Sequence, residues 1–260
     1  MIKQTKKNLI YYQFQCFPRN VIDHGLFTRL GGVSPSPYGS LNVGGTTGDT
    51  KENIVENRRR MFAVFERKVD TIYDSWQVHG NRVVYVTAPR PLNGKHEPAD
   101  IIITDSPRIT LFMRFADCVP ILLFDEKKKI IALVHSGWQG TVSRAVQAGL
   151  KFMIYELGSK PENIFAGIGP SIGPDHYEVG DNVCEEVEKS LNEFKSKILF
   201  FHQKKYFLDL WLANKLLIEQ AGITKIEMAN LCTICNLDEW FSYRAEGKKS
   251  GRFGVLMGLR

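Results

Sequence analysis

Four apolar runs follow one another between residues 100 and 134: DIIIT, TLFMRF, PILLF and IIALV. Each is short, rich in β-branched or aromatic residues and bounded by polar or turn residues, so each reads as a strand. The middle of this chain must therefore build a sheet. The last run, 130–134, reads as a buried strand and ends on His135. A Ser-Gly-Trp-Gln-Gly-Thr turn follows, and then what reads as a helix from about Gly140 to Leu157, stopped by Gly158. An imidazole at the end of a buried strand, aimed at a helix start, asks for a chemical reason.

Further strands are predicted at 9–17, 25–29, 71–78, 82–87, 163–168, 197–201, 239–244 and 252–257, and helices at 181–190 and 209–220. Asp49 followed by Glu52 resembles a capping box for a helix reaching about Lys68. The segment from Gly31 to Asp49 is rich in Gly, Ser, Pro and Asn; a loop this long inside a compact domain is usually functional or disordered. No repeat or linker divides the 260 residues, which are read as a single domain, 1–260. Strands cluster in the first half and mix with helices in the second. The expected class is α/β (α+β mixed), with mixed sheets flanked by helices and no regular Rossmann alternation.

The balance of 34 Lys and Arg against 28 Asp and Glu leaves +6, spread along the chain. Short basic runs such as RRR at 58–60 and KKK at 127–129 read as solvated faces, so nucleic acid is not an expected partner, whereas a small anionic substrate is compatible. No apolar run is long enough to span a bilayer, and the N-terminus lacks the apolar core of a signal peptide. Five cysteines, an odd number, fit a reducing compartment with thiols left free or bound to metal. The expected location is the cytoplasm, with no membrane partner, and the expected state a monomer or small homo-oligomer.

Three segments place a metal-competent side chain where a strand meets a turn: SWQVHGN with His79, FADCVPILLF with Cys118, and ALVHSGWQG with His135. Neighbouring strands can bring all three to one rim of a sheet. Two imidazoles and a thiolate suit zinc with one position left for water. Taken singly, each is more simply a turn histidine or a buried thiol.

The words around these residues resemble one family. HGLFTRLGGVS…YGSLNVG…GD…ENR, QVHG, ADCVPILL, VHSGWQGT, GPSIGPDHYEVG and FSYRAEG…GR run in order from His24 to Arg252 and are similar to the laccase-domain family, also called YfiH-like or polyphenol-oxidase-like. The resemblance implies a fold like that of the YfiH-like and cytotoxic necrotising factor-like proteins, and a mononuclear zinc on His79, Cys118 and His135. It also implies a purine nucleoside phosphorylase that accepts adenosine, inosine, guanosine and S-methyl-5'-thioadenosine and also deaminates adenosine. Two departures are visible: Ala245 follows Arg244 where two arginines are frequent, and His176 stands where a cysteine is frequent.

This chemistry needs more than a metal. Zinc with an open position lowers the pKa of its water to about 7, which suits deamination. Phosphorolysis needs an anion pocket. The backbone amides from Ser136 to Gly140 lie at the predicted helix start, and Arg29, Arg244 and Arg252 offer forked donors. Glu178 is a candidate for contacting sugar or base, and Asn42 for ordering the long loop or meeting substrate. Asp117 is expected to orient the pocket by hydrogen bonding. Cys232 and Cys235 form a single C-x-x-C pair, too few for a site built from two such pairs, and independent metal binding is not expected there.

Three other functions share these residues. Cys118 and His135 could serve as nucleophile and base of a Cys-His hydrolase or deamidase, which leaves His79 idle. Copper on one cysteine and two histidines would suit a laccase-type phenol oxidase, although multicopper enzymes need more than the six histidines here. A metal-holding partner-binding protein leaves the arginines unexplained.

Overall fold

The computed structural model describes residues 1–260. In chain order the strands are β1 (Ile2–Lys6), β2 (Leu9–Gln13), β3 (Ile22–Phe27), β4 (Ile72–Asp74), β5 (Val83–Tyr85), β6 (Ile101–Thr104), β7 (Thr110–Phe115), β8 (Val119–Asp125), β9 (Ile130–Ser136), β10 (Ile164–Ile168), β11 (Glu178–Val179), β12 (Leu199–His202), β13 (Lys205–Leu208), β14 (Lys225–Met228) and β15 (Phe253–Leu259). The α-helices are α1 (Lys51–Val64), α2 (Trp138–Val142), α3 (Ala145–Lys151), α4 (Asp181–Leu191), α5 (Lys195–Ile198), α6 (Leu210–Gln220) and α7 (Tyr243–Glu246).

Two six-stranded sheets carry the architecture, ordered β1-β2-β3-β15-β7-β4 and β14-β10-β8-β9-β6-β5, with a small β11-β13-β12 sheet beside them. Both large sheets are mixed, because the β4–β7, β5–β6 and β10–β14 pairs are parallel and the others antiparallel. The central strands are apolar along their whole length because both faces are covered. In β9, Ile130, Ala132 and Val134 join a core with residues of α3, α4 and α6, while Ile131 and Leu133 join a core shared with Leu111, Met113, Val255 and Met257 of the other sheet. The far face of that other sheet packs Leu9, Tyr11, Phe112 and Leu256 against Met61 and Phe62 of α1. Helix, sheet, sheet and helix thus form four layers. Each fully buried Leu or Ile contributes about 1.5–3 kcal/mol, so strand ends in the two middle layers are held firmly.

Several expectations shift. The predicted 140–157 helix is broken into α2 and α3 at Arg144, which takes a left-handed φ of +59°. That conformation is held from outside: Arg144 donates to the Ser190 carbonyl at 2.7 Å and to Glu193 and Gln220. The predicted strand at 239–244 is instead a buried Trp240-Phe241 pair followed by a turn, where the Ser242 hydroxyl accepts from Ala245 N and starts α7. Helix α1 is capped by Thr50 rather than Asp49, and the Asp49 carboxylate accepts from the Asn53 side chain. β1, β13 and β14 escape the sequence pattern because they are short and carry lysines; β1 and β14 lie at sheet edges, where charge is tolerated.

Candidate metal centre

β8 and β9 pair antiparallel with Pro120 opposite His135 and Val119 opposite Ser136, so Cys118, just before β8, lies level with the end of β9. Alternation along β9 points His135 toward the space between the sheets, where Cys118 also packs. His79 arrives from the turn after β4, with its ring 4.9 Å from the His135 ring and nearly perpendicular to it. One donor atom from each of His79, Cys118 and His135 lies within 4.8 Å of the others.

One buried carboxylate arranges two of these three. Asp100, fully buried at the head of β6, accepts from the backbone N–H of His79 at 3.0 Å and from His135 Nδ1 at 2.8 Å through Oδ1. Its Oδ2 accepts from Val78 N at 3.1 Å and Gly80 N at 2.8 Å. Those three amide bonds hold His79 in a left-handed conformation, φ +62°, that costs a non-glycine residue about 1 kcal/mol. With Nδ1 engaged, His135 presents Nε2 to the pocket, the arrangement found when a carboxylate braces a metal-binding histidine. Sequence reading passed over Asp100; the available signal was an acid immediately preceding an uninterrupted apolar strand.

The electrostatics suit a cation. Burial disfavours ionisation of Cys118, but His135 and His79 outweigh it and bring the thiol down to about 6. Burial likewise disfavours charge on His135, yet the Cys118 thiolate and Asp100 raise its pKa. The donors are thus primed to hold a positive charge, and a metal ion would replace the proton they share. The backbone leaves room: a Cβ on Gly137 would stand 2.7 Å from Cys118 Sγ and 3.4 Å from His79 Cδ2, so only glycine fits against the thiol. A soft thiolate, two imidazoles, a bracing carboxylate and a glycine cradle fit a tetrahedral ion such as zinc.

Asp117, at φ +82°, lies beside the thiol. Its Oδ1 accepts from Thr233 Oγ1 at 2.6 Å and its Oδ2 from Arg244 N at 2.6 Å. It therefore anchors the wall rather than offering a free base. Arg244 is exposed, stacks over Tyr177 at 4.9 Å and donates to the Glu178 carbonyl at 2.9 Å. Arg252 stacks over Tyr243 at 5.4 Å. Burial lowers its pKa, and the nearby charges of Cys118 and Asp117 work against that. Two arginine–tyrosine pairs thus stand beside the metal-competent set. The two tyrosines were not singled out from sequence, because an aromatic residue in a turn carries no periodic signal.

Other expected site residues are employed differently. Ser136 points to the helical side of β9, where its hydroxyl meets Asn214 and Thr141, as alternation requires once His135 faces the pocket. The helix after it, α2, is only five residues long and adds little dipole for an anion. Asn42 is fully buried: its Oδ1 accepts from Gly44 N and Arg252 N, and its Nδ2 donates to Thr47 and Asp49. It orders the long loop and has no group left for substrate. Arg29 donates to the carbonyls of Gly39 and Leu237 and pairs with Glu246, which makes it a clamp between loops. The Glu178 carboxylate pairs with Lys205 across the small sheet, so it is the Glu178 carbonyl that reaches toward the site, through Arg244.

The chain as a whole is similar to known proteins. Residues 23–260 match the family model described as multi-copper polyphenol oxidoreductase laccase. A purine nucleoside phosphorylase of Deinococcus radiodurans is 34% identical, covering 93% of this chain and 91% of the relative. One from Bacteroides thetaiotaomicron is 33% identical, covering 100% and 98%. The crystal structure of YlmD from Geobacillus stearothermophilus superposes with a TM-score of 0.92 at 30% identity, covering 99% and 98%. The sequence, the four-layer mixed fold and these matches agree, and the chain belongs to the laccase-domain, YfiH-like family.

Proposed function

We propose that this protein is a zinc-dependent purine nucleoside phosphorylase that acts on adenosine, inosine, guanosine and S-methyl-5'-thioadenosine, also deaminates adenosine, and works in the cytoplasm. The observation that carries the reading is the convergence of His79, Cys118 and His135 around Asp100. Full-length similarity to purine nucleoside phosphorylases supports the reaction class.

In this reading His79, Cys118 and His135 hold the metal, and the buried strand ends keep them in place. Bound zinc supplies Lewis acidity and a water of lowered pKa, about 7, for replacement of an exocyclic purine amine. Asp100 keeps the His135 ring in one tautomer and one orientation. Arg244 and Arg252 bind phosphate with planar forks, while Tyr177 and Tyr243 offer faces against which a purine can stack. Phosphorolysis then joins a phosphate oxygen to the anomeric carbon as the bond to the purine nitrogen breaks and the purine leaves with that bonding pair. The arginines neutralise the incoming anion, and Asp117 holds the backbone of Arg244 in register.

The low-pKa thiol beside His135 also suits a Cys-His hydrolase, but His79 and its brace would then have no task. Laccase-type copper chemistry gains no support from the remaining histidines. His24 is a core residue accepting from Phe14 N, His96 meets Asp74, His176 meets Cys232 and Cys235, and His202 lies in exposed β12. Zinc content and phosphate-dependent release of adenine from adenosine should be measured on wild type and Cys118→Ala. The variant is expected to lose about one zinc per chain and its turnover together. Full turnover in a Cys118→Ala protein that lacks this zinc would refute the proposal.

A further inference from the structure

Cys232 and Cys235 lie in the turns after β14, and His176 in the turn before β11. Ser171 and Cys232 form a parallel bridge, with Thr233 N donating to the Ser171 carbonyl at 3.0 Å and Ser171 N to the Leu231 carbonyl at 3.2 Å. This pairing brings together segments separated by about sixty residues. His176 Nδ1 consequently stands 3.6 Å from Cys235 Sγ and 3.9 Å from Cys232 Sγ, and both cysteines are free thiols. One donor atom from each of the three lies within 4.8 Å of the others.

The spacing has a chemical meaning. With Zn–S about 2.3 Å and Zn–N about 2.0–2.1 Å in a tetrahedron, sulfur and nitrogen ligands stand about 3.6 Å apart. One imidazole nitrogen facing two sulfurs at that separation is the arrangement of ligands around a shared ion; a single S–H···N hydrogen bond would engage only one sulfur. Asp175 Oδ1 lies 3.0 Å from the same Nδ1 but outside the three-donor set, a neighbouring charge that favours a cation there. Gly173 completes the nest. Its N–H donates to Cys232 Sγ at 3.2 Å, and a Cβ there would stand 3.1 Å from that sulfur and 2.7 Å from Asp175 Oδ1.

We propose that His176, Cys232 and Cys235 form a second zinc site whose role is structural. Its purpose follows from its neighbours. Thr233, between the two cysteines, donates to Asp117 Oδ1, and Asp117 in turn holds Arg244 N. Tyr177, next to His176, carries the Arg244 guanidinium on its ring. A zinc tying 173–176 to 232–235 would fix the wall that presents Tyr177 and Arg244 without touching the first set. The proposal does not depend on the catalytic reading.

Metal analysis of the full-length protein, equilibrated with zinc and freed of excess, decides the matter. Wild type is expected to hold about two zinc ions per chain, and Cys118→Ala and Cys235→Ser about one each. One ion in wild type, lost in Cys118→Ala and kept in Cys235→Ser, would overturn the second site and leave the catalytic reading standing. One ion lost in Cys235→Ser and kept in Cys118→Ala would do the reverse. Should Cys235→Ser fold poorly, iodoacetamide labelling of wild type supplies the answer. Cys232 and Cys235 should be protected in the zinc-loaded protein and labelled at least tenfold faster after EDTA. Equal labelling with and without EDTA, or a Cys232–Cys235 disulfide in protein purified under reducing conditions, would overturn the proposal.

Discussion

Replacing Asp100 by Asn tests whether a single buried carboxylate holds the metal-competent set together. The native carboxylate accepts four hydrogen bonds, two on each oxygen: His79 N and His135 Nδ1, then Val78 N and Gly80 N. The variant amide keeps one oxygen, so at least two of the four are lost and its NH2 faces two N–H donors across a fully buried site. Each charge-assisted bond is worth about 1.5–3 kcal/mol. The metal-free variant should therefore lose at least about 3 kcal/mol, and its Tm should fall by at least about 6 °C for a chain of this size. Zinc affinity should fall about 10- to 100-fold, the usual cost of removing the group that orients a ligand histidine. Calorimetry in chelator reads the first effect, and competition with a zinc chelator the second. Tm and zinc affinity indistinguishable from wild type would refute the reasoning, because the brace would then contribute neither order nor charge. Acid should act in the same direction. Burial opposes ionisation of Asp100, yet the His135 hydrogen bond, the His135 charge and the backbone amides hold its pKa below the ordinary value. Its stabilisation is thus present above the unfolded carboxylate range and disappears as pH falls through the lower folded value.

Two further outcomes follow from the same structure. Gly137→Ala places a methyl 2.7 Å from Cys118 Sγ, so the thiolate must shift; zinc affinity should drop at least about tenfold in a chelator competition while the fold persists, and unchanged affinity would remove the cradle. His24 is fully buried, and burial together with the Arg19 charge lowers its pKa to about 3. The folded state keeps it neutral while the unfolded chain takes up a proton below about 6.5, so stability should fall by about 1.4 kcal/mol per pH unit as pH drops from about 6 toward 3. Denaturant titrations of wild type and His24→Gln should show this component vanish in the variant; identical slopes would show that His24 is not responsible.

The three residues of the metal-competent set, His79, Cys118 and His135, were legible in the chain because each ends or adjoins an apolar run, and a strand end is where a short polar side chain meets a rim. The strands themselves were legible because DIIIT, TLFMRF, PILLF and IIALV are short, apolar, rich in β-branched or aromatic residues and bounded by turns, the pattern of strands buried on both faces. Which face each residue takes, and what it meets there, was not. His135 and Ser136 are adjacent in sequence, yet pairing with β8 sends one to the space between the sheets beside Cys118 and the other to Asn214. Asn42 and Arg29 look like substrate ligands in a loop, but tertiary contacts occupy their hydrogen-bonding groups with backbone and neighbouring side chains. Arg144 breaks a helix that local propensity would continue, because α4 and α6 supply the partners that hold its left-handed backbone. Asp100 acquires its role, and His176 its nearness to Cys232 and Cys235, only when segments tens of residues apart are brought side by side. Local pattern is short-ranged and set by burial and propensity, so it determined the strands and the kinds of ligand available. The pairings that choose among those ligands are long-ranged, and only the packed sheets decided them.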